Sequence, residues 1–137
     1  MLGIGYTYTV NVETTSGIRI TVEPHYMAHL SNPLVKNFLF TYDVVIENLN
    51  KFPVQLMRRH WLVDDELGHK REIEGEGVMG KQPILNPGAQ HRYTSAVDIR
   101  TVKGTMQGSY LMQRMDEDAE FRVRIPQFHL NVPFNLN

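Results

Sequence analysis

Hydrophobic and polar residues alternate along most of this chain with a period of two. In the stretch YTYTVNVE, the residues Tyr6, Tyr8, Val10 and Val12 fall on one side, and threonine, asparagine and glutamate fall on the other. The same alternation recurs in the segments 18–23, 38–47 and 121–125. Because successive side chains of a strand point to opposite sides, this pattern predicts strands with one buried and one solvated face.

Clusters of turn-forming residues separate these runs, at 14–17 (TTSG), 31–33 (SNP), 48–53 (NLNKFP), 66–68 (ELG), 85–88 (LNPG) and 115–119 (MDEDA). They delimit about eight strands, near residues 6–13, 18–27, 37–48, 54–64, 69–75, 89–99, 107–114 and 120–129. Strands at this spacing predict an all-β antiparallel sandwich, and no segment shows a helical stripe. Since the sequence contains no repeat or linker, we predict one domain over residues 1–137. Its predicted core contains Phe40, Tyr42, Val44, Trp61, Tyr93, Phe121 and Val123.

Composition narrows the possible functions. The 137 residues include 14 Lys and Arg against 15 Asp and Glu, for a net charge of -1, which is not the charge of a general nucleic-acid binder. The absence of cysteine excludes a disulfide scaffold and thiolate chemistry and is compatible with a reducing cytoplasm. No charged leader with an apolar stretch and no run of about 20 apolar residues is present. We therefore expect a cytoplasmic protein that is not bound to a membrane.

The stretch GEGVMG places Gly75, Gly77 and Gly80 at the spacing G-x-G-x-x-G. In dinucleotide-binding folds, this spacing opens a helix whose N-terminus faces the phosphates. Here Pro83 follows three residues after Gly80, which leaves no room for such a helix. We predict that these glycines supply positive φ angles or close backbone approach. An anion-binding nest of backbone N–H groups without a helix is the alternative.

The block RRHW places two arginines and a histidine beside the single tryptophan of the chain. Strand alternation puts Arg59 on the side of Trp61, and Arg58 and His60 on the opposite side. We expect Trp61 to anchor the core. Arg58 and His60 are then the candidate partner face, although a solvated face is the alternative. Together with the loop of Gly75, Gly77 and Gly80, they form the predicted binding surface.

No constellation predicts catalysis, a cofactor or a metal. His25 and His29 would stand roughly 13 Å apart along a strand. Glu72, Glu74 and Glu76 form a straight row on one strand face, which does not converge on an ion as a calcium loop does. Ser95 and Ser109 lack a nucleophile elbow. Tyr93 is expected to tie down backbone near a strand corner.

The ordered blocks FTYDVVIEN, RRHW, GEGVMGKQP, GTMQGSY and FRVRIPQFHLNVP resemble the ApaG family over nearly the whole chain. The resemblance implies an immunoglobulin-like sandwich of the fibronectin type III kind. Small bacterial members carry a name linked to cobalt and magnesium sensitivity. Related domains in eukaryotic F-box adaptors and in a DNA polymerase delta-interacting protein look like protein-interaction modules. The resemblance implies no catalytic residue.

Two functions remain. The favoured one is a non-enzymatic binding module for an unidentified protein partner. The alternative is a handler or sensor of a small ligand, either a divalent cation such as Co²⁺ or Mg²⁺ or a phosphate compound. The apolar end FHLNVPFNLN is expected to pack on its own domain or on a second subunit, and a homodimer is preferred.

Overall fold

A computed structural model describes residues 9–133 and shows two β-sheets packed on each other. The strands are β1 (Asn11–Thr15), β2 (Ile18–Tyr26), β3 (Phe38–Asn48), β4 (Val54–Asp65), β5 (Lys70–Glu76), β6 (Ile84–Leu85), β7 (Gln90–Ile99), β8 (Lys103–Arg114) and β9 (Ala119–Asn131). Two short 3-10 turns, Ala28–Leu30 and Pro33–Val35, are the helical elements of this part of the chain. Residues 9–133 contain no helix long and apolar enough to cross a membrane.

Every pair of neighbouring strands is antiparallel. The first sheet has the order β1-β2-β3-β7 and the second the order β5-β4-β8-β9, with β6 also beside β4. The predicted all-β antiparallel sandwich is therefore confirmed, while the two-residue strand β6 and the two 3-10 turns were not predicted from the alternation pattern. The finer likeness to immunoglobulin and fibronectin type III domains stays a prediction.

The core forms around Trp61, which is 2% exposed. Its indole ring lies 5.2 Å from the ring of Tyr42 in one sheet, and 5.9 Å and 6.4 Å from those of Phe128 and Tyr110 in the other. Such edge-to-face contacts stabilise a core beyond the burial of apolar area. The prediction that Trp61 anchors the core is confirmed. Of the seven predicted core residues, five are buried, while Tyr93 and Phe121 are partly buried against the core.

Strand β1 corrects one prediction. The side that carries Val10 and Val12 was expected to be buried, yet each valine is 54% exposed. Val12 pairs with Thr21 of β2 on the outer face, because the register of the two strands turns Asn11 toward the core side beside Val22. The next residue of β1 on the core side is charged. It is Glu13, whose carboxylate lies 3.4 Å from the guanidinium of Arg124 in the opposite sheet. Tyr6 and Tyr8 lie outside the described residues.

The apolar C-terminal segment packs on its own domain as far as it is described. Phe128 and Leu130 of β9 are fully buried, and Val132 packs against the core. Residues 134–137 lie outside the described range. These contacts satisfy the first of the two expectations for this segment, and the homodimer stays a prediction.

Candidate functional site

The glycine loop is a tight backbone turn that follows β5. Val78 and Lys81 exchange two backbone hydrogen bonds of 2.8 and 3.0 Å. The two residues between them, Met79 and Gly80, have φ angles of 48° and 77°. Two left-handed central residues are the mark of a type I′ hairpin turn. Gly80 therefore supplies the conformation that the turn demands.

Gly77 is fixed by close backbone approach. Its φ is 61°, and a Cβ atom at this position would come within 2.1 Å of the Lys81 carbonyl oxygen. Its N–H donates to the Met57 carbonyl at 2.9 Å. The N–H groups of Gly77, Val78 and Lys81 thus all donate to backbone carbonyls. An anion nest needs such groups directed at the ligand, so the geometry favours a turn over a phosphate site.

The Arg59 side chain contacts the glycine loop from its core-facing side and holds it by hydrogen bonds. Its Nη1 donates to the carbonyl oxygens of Glu76 and Gly77 at 2.9 and 3.0 Å. Its guanidinium lies over Gly75, where a Cβ atom would come within 2.8 Å of it. The sequence places Arg59 beside Trp61 on its strand but gives no sign of this contact, which depends on the pairing of Arg59 with Gly75 across β4 and β5.

Arg58 and His60 adjoin this loop on the outer face of the second sheet. Arg58 is exposed and pairs in register with Glu76. His60 is half-buried, with its Nε2 2.6 Å from a carboxylate oxygen of Glu72 and 3.8 Å from one of Glu74. The structure therefore brings the predicted partner face and the predicted loop together.

The contact of His60 with two glutamates is a feature that the sequence pattern did not predict. The row of glutamates on β5 is straight, as predicted, but His60 of β4 reaches into it from the neighbouring strand. Ligand atoms of His60, Glu72 and Glu74 all lie within 4.8 Å of one another. A second cluster of this kind, on the outer face of the first sheet, consists of Glu23, His25 and Asp43. His25 and His29, four residues apart, do not share a cluster.

Tyr93 makes a contact different from the predicted one. Its hydroxyl shares a hydrogen bond with the hydroxyl of Tyr110 between the two sheets, instead of tying down backbone. Burial raises the pKa of the Tyr93 phenol and of the Tyr110 phenol well above the ordinary value. Both groups therefore stay protonated at neutral pH and act as structural hydrogen-bonding groups.

Comparison with known proteins identifies the family of the chain. Residues 28–114 match the ApaG domain. The chain is 46% identical over 121 residues to Protein ApaG of Rhodospirillum centenum, which covers 88% of this chain and 92% of that protein. It is 42% identical over 125 residues to Protein ApaG of Pseudomonas aeruginosa, with 91% and 98% covered. The chain belongs to the ApaG family.

A solved structure agrees with the ApaG assignment. A crystal structure of a Bordetella pertussis protein described as ApaA superposes with a TM-score of 0.82 at 33% identity, covering 90% of this chain and 96% of that one. The matched ApaG domain includes Arg58, His60 and the glycine loop. It also includes Asp43 of the second cluster, whereas Glu23 and His25 precede its first residue.

Proposed function

We propose that this ApaG protein is a non-enzymatic binding module that recognises an extended segment of a partner protein along β5. The observation that carries the proposal is the position of β5 at the edge of its sheet. It pairs with β4 from Arg58↔Glu76 to Asp64↔Lys70 and has no strand on its other side among residues 9–133. An edge strand offers unpaired backbone groups to an incoming strand.

The negative charge of β5 indicates the kind of partner segment that it would bind. Glu72, Glu74 and Glu76 are exposed and alternate along the outer face of the strand, at a spacing of roughly 7 Å. A partner strand with lysine or arginine at alternate positions matches this row. The same carboxylates disfavour pairing with neutral or acidic strands. They therefore give selectivity to an edge strand that would otherwise pair with many extended segments.

The predicted surface lies at one end of this edge. The turn of Gly75, Gly77 and Gly80 ends β5, and Arg58 stands beside Glu76 as an exposed cation. An incoming basic strand meets repulsion from Arg58 unless a carboxylate of the partner lies there. The turn and Arg58 therefore fix the register of the bound segment.

The polar groups of the core sheets support a non-enzymatic role. Ser109 accepts a hydrogen bond from Arg122 at 3.4 Å, and Ser95 is the cross-strand neighbour of Tyr42. Ser109 is the cross-strand neighbour of His60, but the Nε2 atom of His60 lies 2.6 Å from Glu72, and no hydrogen bond among residues 9–133 joins either serine to a histidine base. The cysteine-free sequence is compatible with the reducing cytoplasm, where we propose that the module works.

The test uses a fluorescent peptide that alternates lysine and valine, and a second peptide that alternates glutamate and valine. We expect anisotropy to detect binding of the basic peptide alone, with NMR shifts along β5. The double variant Glu72→Lys with Glu74→Lys should lose binding by tenfold or more. The matched double variant Glu117→Lys with Glu120→Lys, at the β8–β9 turn, should bind normally. Equal loss in both variants would reduce the effect to net charge and contradict the proposal.

The cluster of His60, Glu72 and Glu74 favours a second candidate function, the handling of a divalent cation. One imidazole and two carboxylates are a mixed ligand set that accepts several divalent metals. Titration with Co²⁺ and Mg²⁺ should then give saturable NMR shifts at His60 and the two glutamates. Loss of these shifts in His60→Gln supports this function, and their absence from the unmodified protein rejects it.

A further inference from the structure

Three metal-ligating side chains converge on the outer face of the first sheet, away from β5. The Nε2 atom of His25 lies 3.0 Å from a carboxylate oxygen of Glu23 and 3.0 Å from one of Asp43. All three ligand atoms lie within 4.8 Å of one another. Two ligands bound to one tetrahedral zinc ion are about 3.4 Å apart when each metal bond is about 2.1 Å. The observed spacing therefore needs only small side-chain movement to hold an ion.

The sheet itself creates this convergence. Glu23 and His25 are two residues apart on β2 and thus share its outer face. Asp43 of β3 is the direct cross-strand partner of Glu23, and Thr94 of β7 is the direct partner of Asp43. The ligands come from two central strands of a four-stranded sheet, which is a rigid support for a metal site.

Asp43 is oriented by its neighbour. The hydroxyl of Thr94 donates to one carboxylate oxygen of Asp43 at 2.5 Å, and the other oxygen points to His25. Carboxylates that bind metals are generally hydrogen-bonded in this way through the oxygen that does not face the metal. The three side chains are between 21% and 47% exposed, so an ion can reach them from solvent.

A hollow of about 440 Å³ opens beside the cluster. Its lining includes Thr21, Glu23, Asp43, Arg92 and Thr94. Two of the three ligands thus border a space that admits water or a small anion to the open coordination positions of a bound ion. Arg92 adds a cation that can pair with such an anion.

We propose that Glu23, His25 and Asp43 bind one divalent transition-metal ion. The imidazole favours a transition-metal ion such as zinc over magnesium, which prefers oxygen ligands and keeps most of its water. Three protein ligands leave at least one position for water or for an anion in the hollow. The site lies on the sheet opposite to β5, so it is independent of the proposed partner-binding edge and of His60.

Manganese provides the test, because it broadens the NMR signals of nearby residues and so locates the ion. We expect substoichiometric Mn²⁺ to broaden the amide signals of Glu23, Asp43 and Thr94. Calorimetry with Zn²⁺ should show a saturable site that Asp43→Asn, which keeps the size of the side chain, weakens at least tenfold. The matched variant His60→Gln should leave this site unchanged.

Each other outcome counts against the proposal. Broadening confined to the neighbouring strands β4 and β5 would place the metal at His60, Glu72 and Glu74. Unchanged Zn²⁺ affinity in both Asp43→Asn and His25→Gln would exclude the cluster. Because NMR spectra report the fold of each variant directly, a loss of metal binding through unfolding is recognised at once. Failure of peptide binding at β5 has no bearing on these results.

Discussion

The guanidinium of Arg59 occupies the space that a side chain on residue 75 would fill. A Cβ atom at Gly75 would come within 2.8 Å of Arg59, whose Nη1 also holds the carbonyls of Glu76 and Gly77. An arginine on one strand and a glycine on the next therefore form one structural unit. The G-x-G-x-x-G spacing of this chain is explained position by position by that unit and the turn after it.

This explanation predicts a graded effect of alanine substitutions in the loop. Gly80→Ala meets no atom within 4 Å and should cost about 1 kcal/mol from its positive φ alone. Gly75→Ala displaces Arg59 and should cost about 1–2 kcal/mol through two weakened hydrogen bonds. Gly77→Ala adds a backbone clash to a positive φ and should cost about 3 kcal/mol or more. Urea unfolding measures the three values, and a uniform cost would contradict the assigned roles.

The same geometry predicts that the loop does not bind nucleotides. The N–H groups of Gly77, Val78 and Lys81 are held by backbone carbonyls, and the exposed row of Glu72, Glu74 and Glu76 on the preceding strand adds negative charge that repels a phosphate. Calorimetry with micromolar ATP or NAD should show no binding at physiological salt. A saturable binding isotherm would overturn this prediction if Gly77→Val abolished the binding while the NMR spectrum of the variant showed that it is still folded.

The hydrogen-bonded tyrosines predict a loss of stability in alkali. Burial raises the folded-state pKa of the Tyr93 and Tyr110 phenols above the unfolded value of about 10. Their contribution is fully present below about pH 10 and is lost as the pH rises above it, at about 1.4 kcal/mol per pH unit for each phenol. Urea midpoints from about pH 8 to about pH 11 should show this decline, with a shallower slope in Tyr93→Phe. Phenolate absorbance from these residues before unfolding would contradict the prediction.

Asn48 predicts a large stability effect far from any candidate site. It is 0% exposed, its Nδ2 donates to the carbonyls of Phe52 and Leu85 at 2.8 and 3.0 Å, and its Oδ1 accepts from the Asn50 N–H at 3.0 Å. Asn48→Ala leaves these groups without partners and should cost about 2–4 kcal/mol. Asn50→Ala, which loses one exposed bond to Ser16, should cost less than about 1 kcal/mol. Similar costs for the two variants in urea unfolding would refute the assigned role.

The sequence by itself determined the strands and most of their buried faces. The two-residue period of a strand is local, so the alternation around Phe40, Tyr42 and Val44 is visible without any knowledge of the fold. The bulk of Trp61 likewise marks it as a core residue. The positive φ angles of Gly77 and Gly80 were also predictable, because glycine adopts them without the steric cost that other residues bear.

Only the tertiary structure decided which side chains meet. Arg59 meets Gly75, His60 meets Glu72, and His25 meets Asp43 through pairings between different strands. The register of such pairs is fixed by the packing of the whole sheet, and a shift of one residue would reverse every side chain. The outward turn of Val12 in the edge strand β1 has the same origin. The alternation of β1 is strong, but alternation alone does not say which of its two faces the rest of the protein covers.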